Sequence, residues 1–213
     1  MKNLVICQNS ITFALVIPVK SNIRQTITLC DYMISDITAE LAKLNNLRGS
    51  DFVGQLKIIA ARREFHPLGD NPNILIVGGE RDTDFISLIN AAQKIVEHGY
   101  RVYLLPNPLE FRTADFILER RGIFKLFDLK TISGKTIVGS RLIESIGQSN
   151  RVMLNLTVDY NTRLLAADIR MYFETYSGAL EVMILKGKKV VSVNRADAFH
   201  PSYYRLFKKR FEK

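Results

Sequence analysis

ThrAlaAspPheIleLeuGlu (113–119) and LysLeuPheAspLeuLysThr (125–131) decide how this chain is read. Both are apolar runs of strand length, and ArgArgGly (120–122) between them supplies a tight turn, so together they predict a β-hairpin. Side chains alternate across a strand, which points Asp128 and Lys130 one way and Leu129 the other, into the core. The turn brings Asp115 back to the Asp128 end of the second strand. Charges set in such apolar runs are costly unless something pairs them. Two carboxylates converging beside an ammonium are the arrangement that holds a divalent cation and activates water against a phosphodiester.

Working outward, strand and helix patterns alternate. IleLeuIleVal (74–77) predicts a short buried strand, followed by a helix over about 83–97 that Gly99 closes, then a strand at TyrArgValTyrLeuLeu (100–105) stopped by ProAsnPro. After the hairpin come a helix over about 140–149, a strand at 151–157, a helix over 162–175 and a second hairpin around LysGlyLys (186–188). The order predicts an α/β fold, a mixed central β-sheet flanked by helices. Residues 1–66 read as a small α+β unit. It has a hairpin with strands at about 3–7 and 11–19, a helix opened by Thr28 and Asp31 in a capping box, and a second helix ending at Ala61. HisProLeuGlyAspAsnProAsn (66–73) reads as a connector, so the expected division is 1–66 and 67–213.

The 213 residues, 47% hydrophobic and 24% charged, suit a soluble globular protein with a sizeable core. A net charge of +9 favours a polyanionic partner such as nucleic acid. Cys7 and Cys30 form no framework and suggest reduced thiols in the cytoplasm. His66, His98 and His200 are scattered without zinc spacing. No run reaches transmembrane length, and the interrupted N-terminus does not read as a signal peptide, so no membrane is expected. IleLeuIleValGlyGly (74–79) lacks the remaining glycine of a dinucleotide fingerprint, and SerGlyLysThr (133–136) lacks the upstream glycine of a P-loop.

Basic residues gather near the hairpin: Arg112, Arg120, Arg121, Lys125, Lys135 and Arg141 are the expected nucleic-acid contacts. Gln148 shares a helical face with Arg141 and Glu144; there it would orient a water or phosphate, or else face solvent. The tail interleaves Tyr203 and Tyr204 with Arg205, Lys208, Lys209 and Arg210, which suits either nucleic-acid contact or a terminal helix packed on the body.

From residue 74 onward the chain resembles the PD-(D/E)XK nuclease core, and within it the C-terminal tRNA-nuclease domain of contact-dependent growth-inhibition toxins. The resemblance rests on AlaAlaGlnLysIleValGluHisGlyTyrArgValTyrLeuLeuPro (91–106), AlaAspPhe (114–116), AspLeuLysThr (128–131) and IleGlyGlnSer (146–149). It implies a metal-dependent nuclease in which Asp115 and Asp128 bind Mg²⁺ (or Mn²⁺), Lys130 positions the attacking water, and Gln148 is the polar residue of the next helix. RNA such as tRNA would then be the substrate rather than DNA. Ala114 stands where the family carries proline, and Asp128 where glutamate is more usual. An acid on the first helix would be Asp82, Asp84 or Glu97. A cognate inhibitor or partner protein is the open expectation for residues 1–66. Alternatives are a nuclease-like scaffold that binds nucleic acid or protein without cutting, and a metal-independent ribonuclease.

Overall fold

The computed structural model describes residues 5–7, 10–12, 37–77, 84–107, 111–135 and 137–212. The expected hairpin lies at the centre of an eight-stranded sheet, as strands β6 (Phe116–Arg120) and β7 (Ile123–Ile132). Arg121 and Gly122, between them, both take left-handed backbone, φ 54 and 77, as a type I′ turn requires. On one side β7 pairs in parallel with β8 (Arg151–Leu156), β8 with β9 (Glu181–Lys186), and β9 antiparallel with the edge strand β10 (Lys189–Asn194). On the other, β6 pairs antiparallel with β5 (Arg101–Leu104), which runs parallel to β4 (Asn71–Ile76). Strands β4, β5, β7, β8 and β9 therefore point the same way, and the α/β class read from the sequence is the one observed.

The stretch expected to be a connector, residues 66–73, instead forms a β-hairpin. Strand β3 (His66–Leu68) pairs antiparallel with β4, and Gly69 turns the chain at φ 55. Its prolines misdirect the reading: β3 is the sheet edge, where Pro67 withholds no ladder hydrogen bond that matters. At the N-terminus, β1 (Val5–Cys7) pairs antiparallel with β2 (Ser10–Thr12), within the hairpin expected there. The capping box at Thr28 and Asp31 lies outside the described residues.

Two helical layers sandwich the sheet. The odd-numbered β7 residues Phe127 and Leu129 face helix α3 (Phe85–Val96), which presents Ala91, Ala92 and Ile95. Small side chains let that helix sit close to the strands. The opposite face carries two separate apolar clusters. Helical residues 37–43 (α1) and α2 (Gly49–Ala60) pack Ile37, Leu41, Leu56 and Ile59 against Tyr103, Ile117 and Leu126, so residues 37–65 and the central strands bury one another. Helices α4 (Val138–Glu144), α5 (Thr162–Thr175), α6 (Arg195–Phe199) and α7 (Tyr203–Glu212) cover Ile132 and strands β8 to β10. Asn161 caps α5 by accepting hydrogen bonds from Arg163 N and Leu164 N. The basic tail is the amphipathic α7, which buries Tyr203, Phe207 and Phe211 at four-residue spacing and leaves Tyr204 and Leu206 outside. Among the described residues no helix is long and apolar enough to cross a membrane.

Candidate active site

Asp128 and Lys130 are even-numbered β7 residues, so they share the face of Leu126 and Ile132. Leu126 belongs to the α1–α2 cluster and Ile132 to the α4–α7 cluster. The two charges lie in the seam between these layers. Phe116 pairs with Phe127 across the hairpin, and one further step in that register sets Asp115 opposite Asp128. Backbone bonds continue that far, since Asp115 N–H donates to Phe127 O at 3.1 Å. The next donor, Leu129 N–H, gives its hydrogen bond to the Asp115 carboxylate instead, at 2.6 Å to Oδ2. The Asp115 side chain thus ends the β6–β7 ladder by replacing a carbonyl, and β7 runs on with only β8 beside it.

This notch opens a cleft of about 230 Å³ at the carboxyl ends of the parallel strands, where open α/β sheets bind their ligands. Its walls are Leu105 to Asn107 after β5, Thr113 to Asp115 before β6, Leu129 to Thr131 on β7, the first turn of α3 with Asp84 and Ser87, and Arg141 of α4. Asp128 is 1% exposed. Lys130 Nζ donates to its Oδ1 at 3.0 Å and lies 2.8 Å from Oδ2. Oδ2 is completely buried and has the Lys130 ammonium as its close partner. Burial, followed by the charge of Asp128, pushes the Asp115 carboxyl up to about 7, against the pull of the Leu129 N–H and Lys130. Burial also raises Asp128, with Lys130 opposing it. The two acids titrate as a unit.

Other expected residues are placed differently. Arg141 reaches the cleft and pairs with Glu144 at 2.7 Å. Arg112 and Lys135 are exposed on loops beside it. Arg120 and Arg121 sit at the far, turn end of the hairpin, about 17 Å along the strand from Asp115 at ~3.3 Å per residue; Arg120 lies over the Tyr100 ring at 5.0 Å. Lys125 is odd-numbered and therefore on the opposite face, paired with Glu181 at 2.7 Å. Gln148 is not brought to the cleft. Helix α4 stops at Glu144, the chain turns through Gly147 at φ 90, and the Gln148 amide donates to Glu144 O at 2.8 Å. Of the first-helix acids, Asp84 lines the cleft, Glu97 is at the far end of α3, and Asp82 lies outside the described residues.

Among the described residues no three His, Cys, Asp or Glu side chains gather as a metal centre. Two carboxylates suffice for Mg²⁺, which is commonly held by one or two together with waters and substrate phosphates. The buried Asp128 carboxylate and the raised Asp115 suit such an ion, whose charge would favour the ionised form of both.

No protein-family model matches the chain, and no curated protein does. Among solved structures it is similar to the CdiA-CT/CdiI toxin and immunity complex from Burkholderia pseudomallei, with 14% identity and a TM-score of 0.43 over 56% of this chain and 98% of that one. At that level the likeness assigns neither a fold family nor a function.

Proposed function

We propose that this chain is a nuclease that hydrolyses phosphodiester bonds with the help of Mg²⁺ or Mn²⁺, acting on RNA such as tRNA ahead of DNA. The observation that carries this reading is the Asp115–Asp128 pair facing across the hairpin with one ammonium, Lys130, beside it: Asp128 is buried, and Asp115 and Lys130 line the cleft. Asp115 and Asp128 would hold the cation. When bound, it would supply positive charge to the scissile phosphate and acidify a water.

The remaining roles belong to side chains of this chain. Lys130 favours the ionised form of Asp128 and has N–H groups left over for a phosphate oxygen or the attacking water. Arg141, oriented by Glu144, is placed to grip a phosphate at the rim. The net charge of +9 favours the approach of a polyanion. The resemblance of residues 74–213 to toxin tRNA nucleases points to RNA.

The test is cleavage of total tRNA and of plasmid DNA, in Mg²⁺, Mn²⁺ and EDTA, by wild type and by Asp128→Asn. Metal-dependent cutting of tRNA that disappears in the variant is expected. Cutting that survives EDTA or the substitution overturns the two-carboxylate mechanism. Absence of any cutting, with RNA binding retained, favours the binding scaffold. In parallel, Mg²⁺ at about a hundred times its Kd should stabilise wild type by about 2.7 kcal/mol, and Asp128→Asn much less.

A further inference from the structure

A second groove lies along the same carboxyl rim of the sheet, beyond the candidate active site. Four lysines, Lys94, Lys186, Lys188 and Lys189, line it against one carboxylate, Asp159. Asp159 is 96% exposed and stands 3.5 Å from Lys186, so the pair is heavily screened. Among the described residues neither Lys94 nor Lys188 pairs with a carboxylate; Lys94 Nζ donates to the neutral Asn155 amide at 2.7 Å. The groove thus sets four lysines against a single exposed carboxylate.

It is also held in place from three sides. Gly187, at φ 57, turns the chain between β9 and β10. A ring nitrogen of His98, beyond the end of α3, meets the Lys188 carbonyl at 2.9 Å. Lys186 Nζ sits 4.5 Å over the Phe211 ring of α7, and Lys189 Nζ donates to the Glu212 carbonyl at 3.4 Å. Lysines on a turn braced by two helices lose less freedom when they bind than lysines on a loose loop.

Register gives the spacing. Asp128 is level with Val152 and Val182, and Lys186 lies four residues further along β9, on the same face as Val182. Four residues at ~3.3 Å and two strand spacings of ~4.8 Å separate the acid pair from Lys186 by about 16 Å.

We propose that this groove is a binding track for the phosphate backbone of RNA, engaging the polymer about 16 Å from the carboxylate pair. The inference takes its polymer from the proposed function. A lysine-only surface reads charge and position, not bases.

The test uses the full chain and a fluorescein-labelled stem–loop RNA, followed by anisotropy across a salt series in EDTA. Lys188→Glu/Lys189→Glu should weaken binding at least about tenfold and lower the salt slope by about two. Lys188→Ala alone should lower that slope by about one. The control, Lys208→Glu/Lys209→Glu on α7, makes the same charge change elsewhere and should cost less than about threefold. Thermal denaturation confirms that each variant is folded. Equal losses in the two charge-reversal pairs would show only a diffuse charge effect and overturn the track. Unchanged RNA affinity in Lys188→Glu/Lys189→Glu would also overturn it and leave the groove to an acidic protein surface. If wild type cuts no polymer yet the groove pair alone loses RNA affinity, the track stands and the nuclease reading falls.

Discussion

The sheet buries carboxylates in two places, and they are balanced differently. On the α3 face, Glu181 accepts from Lys125 at 2.7 Å and from the Ser192 hydroxyl, and it has Arg151 at 3.5 Å. Two cations and a hydroxyl surround one acid. On the other face, two acids share Lys130. The first has two cations to one acid, and both oxygens of that acid are partnered. The second has two acids to one cation, and opens to the cleft through Asp115 and Lys130. Charge balance, more than burial, separates an acid that holds the fold together from one available for chemistry.

The largest effect that would sharpen this contrast is on turnover. Asp128→Asn should lower cleavage by at least about 10²-fold with a melting temperature close to wild type, because the repulsion it removes offsets the Lys130 pairing it gives up. A large loss of stability in that variant would erase the distinction. Glu181→Gln should behave in the opposite way. It strands Lys125 and Arg151, and because both are partly exposed the cost should be about 1–3 kcal/mol by urea denaturation, with cleavage within about threefold of wild type.

Acidity offers a finer probe. The Asp115 carboxyl is raised from 3.8 to about 7, so its protonated form is the one the fold favours. Its contribution to stability is complete below about pH 4 and is lost as pH climbs through about 7. Urea midpoints measured across that window should fall with pH in wild type and flatten in Asp115→Asn. An unchanged slope would mean that the pair is solvated after all. The smallest expected effect is at the hairpin turn, remote from both acids. Arg121 holds φ 54, which asparagine tolerates better, so Arg121→Asn should add about 0.5 kcal/mol without altering cleavage.

The central hairpin was legible because strand period, turn residues and apolar runs agreed. Other errors had signals within reach. Lys125 has the parity of Phe127 and Leu129, which already sets it on the face away from Asp128. Arg120 and Arg121 are near the acids in sequence, but a strand carries its two ends far apart. The β3–β4 hairpin is hidden by Pro67, which an edge strand accommodates, and by Pro72, which precedes the β4–β5 pairing. Gln148 could not have been placed, because its position depends on where α4 stops, and helix ends are weakly encoded. Likewise, Asp84 enters the cleft only because α3 packs with its first turn against the ends of β5 and β7.

The side-chain cap on the β6–β7 ladder also bears on how the molecule assembles. Asp115 and Leu129 are only 14 residues apart in sequence, so an isolated hairpin can bring them together on the microsecond scale. Contacts of α4, α5, β8 and β9 close longer loops. Near neutral pH the folded chain holds a proton on this acid pair that the unfolded chain has released, so folding takes up a proton from solvent.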